Sequence, residues 1–294
     1  MTAPAQPPPQ GQVYDLAYRR YEGRRLGHAT RFLVIARYAL AMQWRQRAVK
    51  LFMLAALMFG GITAAALGVT WAFSNQVEGT IHGAARELES YAVTAALNAQ
   101  WVPSFLLVLV CGAPSVAADL RAGAFQFHFA RPVSVGHYLA GRMLGATAWA
   151  ALFTFGTLGL LCVERLAFSP DAATLLRLLA VGSLAATMRI VTLGAVALGC
   201  SALTRRVGLA QAMFAAVVVG SGMFASLVAD QSRKEWVEGV SVMGSSRMLA
   251  EQLLGGHAAQ TPAVWASVAA AVLWSVAFLG IAIARLRNVE VVKG

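Results

Sequence analysis

The 294-residue chain is predicted to be an all-α integral membrane protein with six spanning helices, and three observations carry that class. Hydrophobic residues make up 58% and charged residues 13%, against roughly 25% charged in ordinary soluble proteins. Uncharged apolar runs recur at or near the roughly 20 residues that cross a bilayer. None of these runs shows the alternating ten-residue segments of a membrane barrel. Backbone groups in hydrocarbon must pair within the chain, so the runs are helices.

Residues 1–12 form a polar, proline-rich tail, expected to be disordered for lack of apolar content. Residues 13–49 form a basic, amphiphilic cytoplasmic or interfacial segment. Tyr14, Tyr18 and Tyr21 recur at helical spacing with arginines between them, a composition suited to the headgroup level. Within Phe32–Trp44, residues Leu33, Ala36, Leu40 and Trp44 line up as one helical stripe.

The transmembrane domain then fills 50–294, with spans expected at about 51–73, 101–118, 138–163, 174–204, 207–229 and 263–285. Pro103 and Pro114 predict a kink in the second span, because each removes a helical hydrogen bond. The fourth is unusually long and carries Arg177 and Arg189. Two external segments complete the pattern: 75–100, with a helix near 84–98, and 230–262, read as short helices lying at the outer surface. Leu51–Phe73 is too long for a cleavable signal segment and is expected to stay.

Charge sets the orientation. Nine of the 24 Lys/Arg residues precede the first span, between Arg19 and Lys50. Placing them in the cytoplasm puts 17 basic residues inside and six outside, with Arg189 in the membrane. That is a strong positive-inside bias, and six spans return both termini to the cytoplasm. The net charge of +11 therefore calls for no nucleic acid.

The polar loop between the second and third spans, 119–137, is the most informative stretch. It runs Asp119, three residues, Gly123, seven residues, Arg131-Pro132-Val133-Ser134, then Gly141-Arg142. Gly123 permits a sharp turn. Pro132 fixes its own φ and disfavours helix at Arg131. Ser134 is placed to cap the third span. A compact broken loop of this kind could dock into a groove and carry force to both adjoining spans.

This spacing resembles the cytoplasmic loop after the second membrane helix of ABC-2-type transporter permeases. It differs from the usual family pattern at Ala124, Val135 and Arg142, the last keeping the charge. The Tyr14–Tyr21 stretch also looks like the N-terminus of one subset of those permeases, beside the partner ATPase.

The resemblance implies a six-helix half-transporter of the type V exporter kind, with an N-terminal interfacial helix, in the bacterial inner membrane. Its partners would be two separate ABC ATPase subunits, a second permease copy or paralogue, membrane lipid and an external, periplasmic protein. ATP and Mg²⁺ would sit on the ATPase and no cofactor on this chain. Asp119, Arg121, Gly123, Arg131, Pro132 and Ser134 would form the ATPase-coupling segment.

Arg189 is a charge near mid-span, costing roughly 2.5–3.5 kcal/mol on insertion scales. It lines a pathway or subunit seam, or it is paired to a carbonyl or to Glu164, or it snorkels. Enzyme signatures fail: the chain has no phosphate-binding Gly-x-x-x-x-Gly-Lys loop, no His-Glu-x-x-His and no Gly-x-Ser-x-Gly. The five histidines and Cys111, Cys162 and Cys200 lack metal-ligand spacing. The reading is therefore a permease and no enzyme. Its alternatives are an ABC-2-like anchor that moves an external partner without transport, or an intramembrane enzyme acting on lipids.

Overall fold

The computed structural model describes residues 30–76, 93–125, 134–168, 172–254 and 261–291. Six helical stretches among them are long and apolar enough to cross a membrane: Arg47–Ala66, Val93–Ala122, Val135–Ala167, Ala172–Leu203, Val207–Ser232 and Thr261–Asn288. The helices themselves are α1 (Arg31–Trp44), α2 (Arg47–Gln76), α3 (Trp101–Cys111), α4 (Ser115–Ala122), α5 (Val135–Phe168), α6 (Ala172–Leu203), α7 (Val207–Ser232), α8 (Gly244–Leu254) and α9 (Thr261–Val291). A 3₁₀ turn over Glu235–Val240 precedes α8.

The second span breaks where its prolines sit. Residues 93–99 are helical, Gln100 is a turn, and Pro103 lies in the first turn of α3, where its missing N–H is no loss. α3 then ends at Cys111, and after Gly112-Ala113-Pro114 the chain restarts as α4. The Ser115 hydroxyl and N–H both donate to the Gly112 carbonyl across this break.

α6 is the central post: 56% of its spanning window is buried, against 28%, 22% and 22% for those of α2, α7 and α9. The middle of the core packs Leu107 and Val108 of α3, Phe153 of α5, Ile190, Leu193 and Val196 of α6 and Phe214 of α7. One end is closed by Val116 and Phe125 against Tyr138, Leu198 and Leu286, and the other by Leu97 against Leu158, Leu161 and Leu178. The outward faces stay apolar, as Leu54, Leu57 and Met58 of α2 and Val272, Leu273 and Val276 of α9 are all more than half exposed. Such a surface suits lipid and would be a liability in water.

α1 packs alongside the first half of α5, running the same way. Gly141 and Gly145 make this possible: a Cβ at Gly141 would lie 2.7 Å from Ile35 Cβ, and one at Gly145 2.6 Å from Ala39 Cβ. Farther along, the Trp44 and Trp149 rings stack with centroids 4.9 Å apart. The Gln43 side chain donates to the Cys111 carbonyl at 3.3 Å. The buried face is therefore Ala36, Ala39 and Gln43, which shares only Ala36 with the stripe expected from spacing. Leu33 and Trp44 of that stripe are about half exposed. Gly141 makes room for Ile35 and the Phe32 backbone, and Gly145 for Ala39 and the Ala36 backbone, so the two helices approach closely along this line.

Residues 235–254 are also placed differently from the expectation of helices on the outer surface. The Val242 N–H donates to Ser221 Oγ at 3.4 Å, and Trp274 Nε1 donates to the Val240 carbonyl at 2.9 Å. Ser221 and Trp274 lie near the middle of α7 and α9. The segment thus enters the bundle, turns near mid-height and returns as α8 between α6 and α9. Ser245, Ser246, Leu249 and Ala250 are fully buried there. Where it enters, its backbone finds protein partners, the Val240 carbonyl on Trp274 and the Val242 N–H on Ser221. The proline-rich tail and most of the 75–100 segment fall outside the described residues.

Candidate functional site at the Asp119 end

α4 brings Asp119 to the root of the loop, and two neighbours hold it there. The first lies at its N-terminus. Pro114 occupies the cap position and offers no side-chain hydroxyl, so the N–H groups of Val116 and Ala117 would be unsatisfied within the helix. Both donate instead to Ser201 Oγ on α6, at 3.0 and 2.9 Å. A serine of one helix therefore caps another, which ties α4 to the central post.

The second tie is ionic. Tyr138 of α5 donates its hydroxyl to Asp119 Oδ2 at 2.6 Å, and the Arg142 guanidinium pairs with the same oxygen. The Asp119 and Arg142 side chains are each only 13% exposed. Tyr138 is fully buried, with Phe125 set edge-on to its ring and the Arg142 guanidinium 5.7 Å from its centroid. Tyr138 and Arg142, four apart on α5, share one face and reach one carboxylate. Charge-assisted bonds in a place this dry are the strong kind.

The loop's two roots are finished locally. Gly123 takes a left-handed conformation, φ 64° and ψ 20°, and the N–H groups of Gly123 and Ala124 return to the Asp119 carbonyl. That is an αL helix stop for which a residue without Cβ is suited. On the far side, the Ser134 hydroxyl accepts the His137 N–H at 3.3 Å and lies 2.6 Å from His137 Nδ1, capping α5. Arg121, Gly123 and Ser134 are exposed, whereas Asp119 turns into the fold.

Of the residues singled out in the sequence, Asp119, Arg121, Gly123 and Ser134 thus stand at the base of one loop. Arg131, Pro132, Tyr14, Tyr18 and Tyr21 lie outside the described residues. Tyr138 and Ser201 were not singled out, although both are essential to the geometry. Tyr138 carried a faint signal, being four residues before Arg142. Ser201 carried none, since nothing local marks a serine that caps a helix 85 residues away.

Arg189 lies far from this cluster, near the middle of α6 and 3% exposed, so it does not snorkel. Its Nε donates to Ser246 Oγ, in the first turn of α8, at 3.4 Å. Elsewhere in the core the hydroxyls of Ser104 and Thr154 pair at 2.9 Å. Among the described residues no three His, Cys, Asp or Glu side chains gather as metal ligands. No family model and no curated protein matches this chain.

Proposed function

We propose that this chain is the membrane subunit of an ATP-driven transporter of the ABC-2 type, moved by separate ATPase subunits that press on the 119–134 segment. The observation that supports this reading is how the segment is mounted. The Asp119 carboxylate clamps α4 to α5 at the two roots of the loop, and Ser201 ties α4 to α6. A push delivered at the exposed Arg121, Gly123 or Ser134 therefore moves three spanning helices together. That is what a rigid-body gating scheme requires, and a slack polar loop would dissipate the push.

In this reading Asp119 is the fulcrum inside the fold. Arg121, Gly123, Arg131, Pro132 and Ser134 meet the ATPase. Arg189, held between α6 and α8, is the charged element of the interior that a pathway would pass. ATP and Mg²⁺ belong to the partner, and a second copy or paralogue completes the membrane unit.

The test is purification of the tagged full chain from its native host in mild detergent, with mass spectrometry of what accompanies it. Co-purification of a soluble P-loop ATPase is expected, lost in Arg131→Glu while elution volume and helical circular dichroism are unchanged. In Asp119→Asn the ATPase should still bind, but its hydrolysis should no longer respond to the membrane subunit. A folded preparation of native size that never carries an ATPase overturns the reading.

A further inference from the structure

α6 carries Arg189 near its middle, 3% exposed, and has no acidic residue anywhere along its length. The acid of α8, Glu251, is already engaged, by Arg247 at 2.8 Å and by Asn98 at 2.9 Å. No described ion pair includes Arg189. A buried arginine can be merely tolerated, held by packing and one hydrogen bond. The groups gathered around this one argue for more.

The guanidinium uses only its Nε–H, donated to Ser246 Oγ at 3.4 Å. Nη1 and Nη2 form no hydrogen bond among the described residues, and neither is closed off from a water-sized species. The Ser246 hydroxyl, having accepted one bond, keeps its own proton to donate. Ser246 lies in the first turn of α8, where the N–H groups of Gly244 and Ser245 are both taken by Ser241. The Ser246 N–H has no such partner among the described residues. Every group left over is therefore a donor, and the charge is positive, roughly +1.5 once the helix terminus is counted. Ala185, Leu249 and Ala250, none more than 2% exposed, pack at the same place, so attraction to a negative charge is little screened. Helix N-termini inside membrane proteins are suited to anionic groups for these reasons.

We infer that the meeting of Arg189 with the N-terminus of α8 is a binding site for a compact, singly charged anion, held by the guanidinium and by the hydroxyl and N–H of Ser246. A water molecule would satisfy two of these donors and leave the buried charge uncompensated. A doubly charged anion would bring more charge than the site balances. A bound monoanion supplies to Arg189 what the Asp119 carboxylate supplies to Arg142. The site stands apart from the transporter reading, because it requires neither an ATPase nor a passage across the membrane.

The experiment is thermal unfolding of the purified full chain in neutral detergent, with sodium chloride replacing sodium gluconate at constant ionic strength. Gluconate is too bulky to reach a guanidinium that is 3% exposed. The expected result is a saturable rise in unfolding temperature with chloride. Arg189→Met should abolish that rise, and Ser246→Ala should raise the half-saturating chloride concentration about tenfold. Ser246→Asp builds a carboxylate into the site, in a helix turn where acids are favoured, and should also abolish the response. Arg205→Gln with Arg206→Gln, two exposed cations at the α6–α7 turn, should leave it intact. The inference is overturned if chloride and gluconate act alike on the native chain, or if Arg189→Met or Ser246→Asp keeps the saturable rise. It is equally overturned if the Arg205/Arg206 control loses the response.

Discussion

Two polar places among the described residues handle charge in opposite ways. At the Asp119 end a carboxylate, a guanidinium and a phenol meet, each supplying what the others lack, and the result joins α4 to α5. At mid-height Arg189 is more deeply buried, yet its hydrogen bond goes to a neutral serine at 3.4 Å. The difference teaches which polar group stabilises the fold and which is carried by it. A charge-assisted bond returns roughly 1.5–3 kcal/mol, whereas taking an ion out of water costs several. The Asp119 cluster recovers that cost from both partners. Arg189 does not, so apolar packing of α8 against α6 and α9 must hold it in place.

Removing Asp119 should therefore have the largest effect. Asp119→Ala leaves Arg142 without its counter-ion and the Tyr138 hydroxyl proton without its acceptor, at a cost of about 3 kcal/mol. Thermal or denaturant unfolding in detergent would read this directly. A loss below about 1 kcal/mol would show that solvent already screens the pair and would break the contrast. Ser201→Ala should come next, at about 1–2 kcal/mol, because two helix N–H groups lose their common acceptor. A double cycle with Asp119→Ala would show whether the two ties act as one unit, as the lever requires. The smallest effect is expected at the most buried charge. Arg189→Met should stay within about 1 kcal/mol of the native chain, or stabilise it, since an apolar side chain of similar reach avoids the desolvation cost. A loss above about 2 kcal/mol would mean that Arg189 has a compensating environment and that the two sites are alike.

The candidate site was half legible in the sequence, and the legible half is the local half. Gly123 as a turn and Ser134 as a cap follow from φ preferences and from one side chain reaching a backbone three residues on. Asp119 drew notice by its spacing to Gly123, but its partners could not be read, because Tyr138 and Arg142 meet it only once α4 and α5 are packed. The same limit explains the face of α1. Spacing offered Leu33, Ala36, Leu40 and Trp44 as one stripe, and of these Ala36 is buried. The outcome was decided together with two glycines about a hundred residues away, Gly141 packed against Ile35 and Gly145 against Ala36 and Ala39.

Hydropathy and run length alone determined six helices long and apolar enough to cross a membrane, since a bilayer is a solvent of fixed thickness and the backbone within it must satisfy itself. Pro103, Pro114 and Gly123 likewise determined where the chain must break or turn, because those limits act within one residue of the cause. Only the tertiary structure decided that α6 is the post, that Ser201 caps α4 and that 235–254 enters the bundle instead of covering it. Each depends on side chains distant in sequence meeting at one place, and a one-dimensional pattern holds no record of such distances.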